Sequence, residues 1–414
     1  MGPRRFRVKN GPGVVMGSFL VLGLAAVGSG CEAADPDGSE IHVQVEDSAG
    51  VERVTVEGSP EALPEWGLGE RLTAIHGERE GDAPHFEQVR DAAFLGEGGV
   101  VVVDGMARSL HLFDSDGEYR ETFGGPGEGP GEFQIVEAVD VLPGDTLVSY
   151  DRGQRRVQRF HPGEGLVDVT GLRGSETDAV PLDAWMPAGG RVARLELTRG
   201  EEGEEAPDGS LTRLAHTARL VLADNDEVVR ASKAFAGGHI GLTPESAEVR
   251  LPFSPDPFAR VGPDGVVRGS GGAFRLMVKG SDLSPHMELR WTDYRSGLTE
   301  DEVREVREAL GDQAMVDEML SEDLLPEHRP ALGDAFLDDE GRIWAARFEV
   351  RPFVTPFHRR WYVFSSDGEP TARLDLPEGI GLVDVDEDRV LTVRLDELDV
   401  PRVEERELLE DRGD

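Results

Sequence analysis

A repeat with a period of 47 residues is the feature that most constrains the fold of this chain. It is visible as pairs of identical or similar residues that share one register without a gap. The pairs are Phe86/Phe133, Leu95/Leu142, Asp104/Asp151, Arg108/Arg155, Leu110/Val157 and Phe113/Phe160. A duplicated unit of this size cannot bury its apolar faces alone, so the repeat predicts copies that stack against one another.

Each copy has the pattern of four short antiparallel strands. In the first copy, strands are predicted over 92–95 and 100–103, a third ends at Phe113, and a fourth covers 118–123. The segment Asp114-Ser115-Asp116-Gly117 predicts a hairpin turn between the last two, because glycine adopts a positive φ at little cost. Four antiparallel strands in about 47 residues are typical of one β-propeller blade.

The same layout recurs later in the chain with drift. It is seen at Phe258–Val267, Phe336–Trp344 and Trp361–Gly368, and a last blade is expected over Leu376–Leu409. The repeated layout predicts an all-β fold, and the length of the chain, with insertions allowed at 200–211 and 298–326, sets the number of blades. This fold is a six-bladed β-propeller with four-stranded antiparallel blades over residues 45–414.

Two further segments are predicted to pack on this ring. Gly50–Gly58 alternates like a strand, and we expect it to pair with the final blade and close the ring, which removes exposed sheet edges. A short helical insertion is predicted near 299–320, because Thr299 and Glu302 form a capping box and Gly311 interrupts the pattern. The insertion either packs on the propeller rim or covers one mouth of the central channel as a lid.

The N-terminus has the pattern of an export signal. Four basic residues, Arg4, Arg5, Arg7 and Lys9, precede an apolar stretch from Val14 to Val27, which is too short for a comfortable membrane span. Cys31, the single cysteine of the chain, follows directly after Gly28-Ser29-Gly30.

This segment resembles a bacterial lipobox, although Gly28 stands where leucine is usual. The resemblance implies a lipoprotein signal peptide over 1–30, lipidation of Cys31 and a tether over 31–44. The alternative is an ordinary secretory signal with a chance cysteine. A single cysteine also excludes an internal disulfide, so the fold depends on its core.

Two motifs within the repeats resemble a known family. Residues 151–160 (DRGQRRVQRF) are similar to the NHL-repeat signature, with Gln154 at the usual asparagine position, and 124–133 (GGPGEGPGEF) resemble the linker of the bacterial 6-bladed β-propeller lipoproteins. The signature residues are expected to be structural. They are Asp104, Arg108, Phe113, Phe133, Asp151, Arg155, Arg156 and Phe160. The resemblance implies a fold and a cell-envelope location, either facing the periplasm or at the outer membrane, and it implies no single activity.

The charge of the chain excludes one class of partner. The formal net charge is −39, and residues 1–30 carry basic side chains without any acidic ones, so the rest of the chain is more acidic still. Such a surface repels phosphate backbones, which argues against nucleic acid. A monomer is expected.

Candidate sites are few. Arg108, Arg155 and Arg156 are either structural partners of the repeated aspartates or part of a charged binding ring at the channel mouth. The glycine-rich run at 124–131 has no lysine and leads into a strand, so it predicts a turn between blades and not a phosphate loop. The ten histidines form no zinc motif, and no catalytic residue is identified. A propeller can still gather metal ligands from different blades at its axis.

Two functions remain at this point. The first is a lipid-anchored, non-enzymatic module that binds or scaffolds a protein, peptide or glycan of the envelope. It is favoured because no catalytic constellation is recognisable. The alternative is a propeller enzyme of the lactonase or lyase type, with a divalent cation at the central channel.

Overall fold

The computed structural model describes most of the chain beyond residue 39. The described ranges are 40–75, 84–96, 98–174, 179–186, 191–200, 211–224, 227–243, 247–262, 265–294, 297–311, 313–350, 358–398 and 400–410. The predicted signal peptide, Cys31 and most of the acidic stretch at 200–211 lie outside these ranges.

The strands follow one another in blade-sized groups. Three strands come first: β1 (His42–Ser48), β2 (Val51–Glu57) and β3 (Glu65–Ile75), with a 3-10 turn (Pro60–Ala62) before β3. Blade 1 is β4 (Val89–Phe94), β5 (Val100–Asp104), β6 (Ser109–Phe113) and β7 (Tyr119–Gly124). Blade 2 is β8 (Val136–Leu142), β9 (Thr146–Asp151), β10 (Arg156–His161) and β11 (Gly165–Gly171). Blade 3 is β12 (Ala179–Trp185), β13 (Val192–Arg199), β14 (Thr212–Asp224), β15 (Glu227–Ala231), β16 (Phe235–Leu242) and β17 (Glu248–Arg250).

The second half continues the pattern around one helical insertion. Blade 4 is β18 (Phe258–Gly262), β19 (Gly265–Gly269), β20 (Arg275–Gly280) and β21 (Pro285–Trp291). The helices α1 (Glu300–Leu310) and α2 (Ala314–Met319) follow. Blade 5 is β22 (Leu332–Leu337), β23 (Ile343–Arg347), β24 (Arg360–Phe364) and β25 (Pro370–Asp375), and blade 6 is β26 (Ile380–Asp386), β27 (Arg389–Leu395) and β28 (Pro401–Leu409), completed by β3. The predicted fold class is confirmed.

The hydrophobic core is divided into clusters that lie between successive blades. In the described residues, one cluster joins each neighbouring pair, and a cluster of residues from blades 6 and 1 completes the circle. This arrangement explains the apolar run Val100–Val103, whose four side chains are at most 1 % exposed. A strand that is packed on both faces needs apolar residues at every position rather than at alternate ones.

The strand that closes the ring is not the one predicted. The segment Gly50–Gly58 does form a strand, β2, but it pairs in parallel with β21 of blade 4. Closure is made by β3, which pairs antiparallel with β28 of blade 6 and touches β25 of blade 5 in parallel at its first residues. The prediction was wrong because alternation identifies a strand and carries no information on its distant partner. The hairpin formed by β1 and β2 also begins at His42, inside the predicted tether over 31–44.

The helical insertion agrees closely with its sequence pattern. The Thr299 hydroxyl accepts a hydrogen bond from the Glu302 backbone N–H at 3.2 Å, and the Glu302 carboxylate accepts one from the Thr299 N–H at 3.0 Å. Gly311 separates the helices at φ +84°. Val306 and Val316 pack on Phe253, which lies on the connection between blades 3 and 4. The insertion therefore packs against a connection that joins two blades, and its role as a lid stays a prediction.

Candidate functional site

The first strand of every blade contributes one charged side chain to the centre of the ring. The six are Asp91 on β4, Asp140 on β8, Asp183 on β12, Arg260 on β18, Asp334 on β22 and Asp384 on β26. Asp91 and Arg260 belong to opposite blades and still influence each other electrostatically, so the side chains converge on the axis. We call this set the channel ring.

Four of the aspartates are placed by the same local device. A shift in strand register precedes Asp91, Asp183, Asp334 and Asp384, so that one extra residue is accommodated before each. Such a β-bulge changes the direction in which a side chain points. One carboxylate oxygen then accepts a hydrogen bond from the next backbone N–H at 2.9 to 3.0 Å in all four cases.

In three of these aspartates the second carboxylate oxygen accepts a hydrogen bond from a neighbouring blade. Asp91 accepts from the Val139 N–H of blade 2 at 3.0 Å, and Asp384 accepts from the Phe94 N–H of blade 1 at 2.9 Å. Asp334 accepts from Arg260 at 3.1 Å (Nη2) and 3.4 Å (Nε). The ring therefore holds blades together as well as lining the channel.

Asp140 departs from this pattern. The position 47 residues after Asp91 is Ala138, so the aspartate of blade 2 lies two residues further along its strand. Its carboxylate forms no hydrogen bond and no ion pair with any residue in the described ranges. It is the member of the ring whose charge has no direct partner there.

The electrostatics of the ring favour protonated carboxyl groups. Burial raises the pKa of Asp91 to about 6 and the pKa values of Asp183 and Asp384 to about 7. Burial and the nearby Asp183 carboxylate raise the pKa of Asp140 well above its usual range. Asp334, followed by Asp91 and Asp183, raises the pKa of Arg260, which stays charged.

Water nevertheless reaches the ring. The side chains of Arg260 and Asp334 keep 35 % and 21 % of their surface exposed although they lie deep in the molecule. Side chains that line an internal channel combine these two properties. The ring is therefore accessible to water at these two side chains.

The repeated aspartates of the signature lie elsewhere, at the turns between the second and third strands. Asp104 is fully buried and accepts four backbone N–H groups, two in its own turn and two on the connection entering blade 1. Asp151 has the same four contacts in blade 2. A carboxylate with four backbone donors fixes the geometry of a turn.

The three arginines proposed for the channel mouth differ in their surroundings. Arg108 and Arg155 are exposed and occupy positive-φ positions in equivalent turns. Arg156 is buried, and its guanidinium donates to the carbonyl oxygens of Glu128, Gly129 and Glu132 in the glycine-rich linker. Arg156 therefore holds the linker in place.

The signature phenylalanines are core residues. Phe133 and Phe160 are fully buried with ring centroids 5.9 Å apart, between blades 1 and 2, and Phe113 packs between blades 6 and 1. The linker before Phe133 connects two blades as predicted, with Gly124 and Gly125 at positive φ.

The channel ring was missed in the sequence, although a signal exists. Asp-Ala occurs at 91–92, 183–184 and 334–335, and Asp-Val at 384–385, each time in the first strand of a blade. Cys31 lies outside the described residues. Among those residues, no group of three or more histidine, cysteine or acidic side chains has an arrangement that could hold a metal ion, and no helix is long and apolar enough to span a bilayer.

Comparison with known proteins shows the fold and no more. No family model and no curated protein matches the sequence. An exported protein from Bacteroides fragilis has a similar structure (TM-score 0.50, 8 % identity, covering 84 % of this chain and 99 % of that one). Virginiamycin B lyase from Staphylococcus aureus (TM-score 0.38, 9 % identity, 89 % and 99 % covered) and a gluconolactonase from Xanthomonas campestris (0.39, 13 %, 84 % and 98 %) are also similar. The likeness to the exported protein is one of fold alone, and at such low identity it assigns no activity.

Proposed function

We propose that this protein is an exported, lipid-anchored β-propeller of the bacterial cell envelope, of the 6-bladed, NHL-like lipoprotein type. It acts as a binding module, and its channel ring receives a cationic side chain of a peptide or protein partner. The observation that carries this proposal is the composition of the ring, with five aspartates, one arginine and partial exposure to water.

The ring already accommodates one cation of the kind proposed. The Arg260 guanidinium lies among carboxylates from several blades and donates to Asp334. Arg260 has its direct carboxylate partner in Asp334. Among the described residues the Asp140 carboxyl group has no hydrogen-bond partner, so it offers an acceptor for a second cation. Charge-assisted hydrogen bonds of this type are the strong ones in proteins.

Isothermal titration calorimetry tests the binding role. The probe is the capped peptide acetyl-Gly-Arg-Gly-amide, and its control replaces arginine by citrulline, which has nearly the same shape and no charge. We expect binding of the arginine peptide only, at least tenfold weaker in Asp140→Asn. The matched variant Asp116→Asn, at an exposed turn, should bind like the parent protein. Equal heats for the two peptides would refute a cation site.

Mass spectrometry of native material tests the anchor. We expect a mature chain that begins at an acylated Cys31 and sediments with membranes, and a soluble exported form for Cys31→Ser. An unacylated residue 31 in native material would leave a secreted propeller without a tether. The enzyme alternative stays a prediction, and a stoichiometric divalent cation in the purified protein would support it.

A further inference from the structure

We propose that binding of a cation in the channel is coupled to release of a proton from Asp140, the one ring carboxyl group without a hydrogen-bond donor among the described residues. The inference rests on the proposed function, because it concerns the same site. Such coupling gives a defined number of protons released per bound cation and an affinity that depends on pH.

The contacts of Asp140 set it apart from the other ring members. Asp91, Asp183 and Asp384 each accept at least one backbone N–H, and Asp334 accepts from Arg260 as well as from a backbone N–H. Donors of this kind stabilise an ionised carboxylate, and the described part of the chain offers none of them to Asp140. Its ionised form would depend on the more distant field of Arg260 alone.

The groups that surround Asp140 oppose its ionisation. Each of the other five inner strands presents one charged group to the axis, and only one of these is positive. They are Asp91, Asp183, Arg260, Asp334 and Asp384. Glu137, on the strand of Asp140, adds a further carboxylate whose field reaches Asp183. Burial and the Asp183 carboxylate hold the pKa of Asp140 well above its usual range, so the protonated form persists in the empty ring at pH values where an exposed aspartate is already ionised.

An incoming guanidinium or ammonium group reverses this balance. A positive charge at hydrogen-bond distance favours the carboxylate over the acid, so the O–H bond of Asp140 breaks and its proton passes to water. No other bond changes. By linkage, affinity then falls as the pH falls, by about tenfold per unit below the pKa of Asp140 in the free protein.

Calorimetry in two buffers measures the coupling directly. The full-length mature protein is titrated with acetyl-Gly-Arg-Gly-amide at pH 6 in phosphate and in an amine buffer that differs strongly in ionisation enthalpy. We expect the apparent heat to differ between the buffers, corresponding to the release of at least one proton per bound peptide, since Asp183 and Asp384 also titrate near this pH. We also expect at least tenfold tighter binding at pH 7.5 than at pH 5.5.

A variant and its control locate the proton. Asp140→Asn should bind weakly and release about one proton fewer per bound peptide than the parent protein, whereas Asp116→Asn should release protons like the parent protein. Binding by the parent protein with buffer-independent heat would overturn the coupling and leave the binding function standing. Undetectable binding at every pH would overturn both. Since the comparison of buffers on the parent protein needs no variant, a folding defect in Asp140→Asn does not affect it.

Discussion

Single residues of this propeller respond to pH in opposite ways according to their surroundings. Burial raises the pKa of Asp183 to about 7. Glu288 on β21 is also buried, yet hydrogen bonds from Arg290, Arg53 and Arg275 outweigh the burial and lower its pKa. A buried carboxyl group such as Asp183 therefore favours folding in its protonated form, whereas a carboxyl group held by arginines, such as Glu288, favours folding in its ionised form.

Asp183→Asn should therefore change stability in a direction that depends on pH. The contribution of Asp183 is fully present below its unfolded pKa near 4 and is lost as the pH rises through about 7, because the folded state binds the extra proton. We expect the free energy of unfolding of the variant, relative to the parent, to increase by roughly 1 to 3 kcal/mol between pH 4 and pH 8. Urea denaturation at both pH values measures it.

Glu288→Gln provides the opposite control. Its contribution is present above the unfolded pKa of about 4.5 and is lost as the pH falls, so this variant should lose more stability at pH 7 than at pH 4. Parallel curves for Asp183→Asn and the parent protein would show that Asp183 ionises normally in the folded state.

At the scale of elements, local patterns were predictable and long-range partners were not. The hairpin at Asp114–Gly117 forms because Gly117 takes φ +77° and the Asp114 carboxylate accepts from the Glu118 N–H. The break at Gly311 follows the same kind of local rule. Strand β2 pairs with β21, and the contacting residues Arg53 and Glu288 are 235 positions apart in the sequence. No rule of sequence spacing predicts that pairing.

The channel ring shows the same limit in the functional site. Its members recur at irregular intervals because blade 3 and the connection to blade 5 contain insertions. Each Asp-Ala pair looks unremarkable in its own strand, and Arg260 replaces the aspartate in blade 4. Only closure of the ring brings six distant positions onto one axis, so the repeat could predict the blades and not the charge at their centre.

The capping box of α1 offers a test at this scale. Thr299→Ala removes the side-chain acceptor for the Glu302 N–H and should weaken the first turn of the helix by about 1 kcal/mol. We expect faster amide exchange over 302–306 with little change in the blades, measured by hydrogen–deuterium exchange. Thr299→Ser keeps the hydroxyl and should protect these amides like the parent. Unchanged exchange in Thr299→Ala would mean that packing on Phe253 alone holds this end of the helix.

At the scale of the whole molecule, the first three strands, β1 to β3, contact three different blades. The hairpin of β1 and β2 covers the outer edge of blade 4, where Arg53 donates to Glu288 at 3.1 Å and Val54 and Val56 are fully buried. The start of β3 touches blade 5, and its remainder completes blade 6, where the Gly69 carbonyl accepts from Arg406. Loss of the β1–β2 hairpin and loss of β3 should therefore affect the ring in different ways.

Two truncations separate those consequences. A chain that begins at residue 59 loses the hairpin and the apolar contacts of Val54 and Val56, so it should stay monomeric with a free energy of unfolding lower by roughly 3 to 5 kcal/mol. A chain that begins at residue 77 also loses β3, which leaves β28 as an open sheet edge. Loss of Trp66 also exposes Trp344 and Leu408, which belong to the same core cluster. We expect this chain to aggregate and to bind a hydrophobic dye. A synthetic peptide of residues 62–78 should restore a monomer by supplying the missing strand. If the chain that begins at residue 77 proved as stable and monomeric as the one that begins at residue 59, β3 would not be needed to close the ring. The contacts between blades 6 and 1 would then hold it closed.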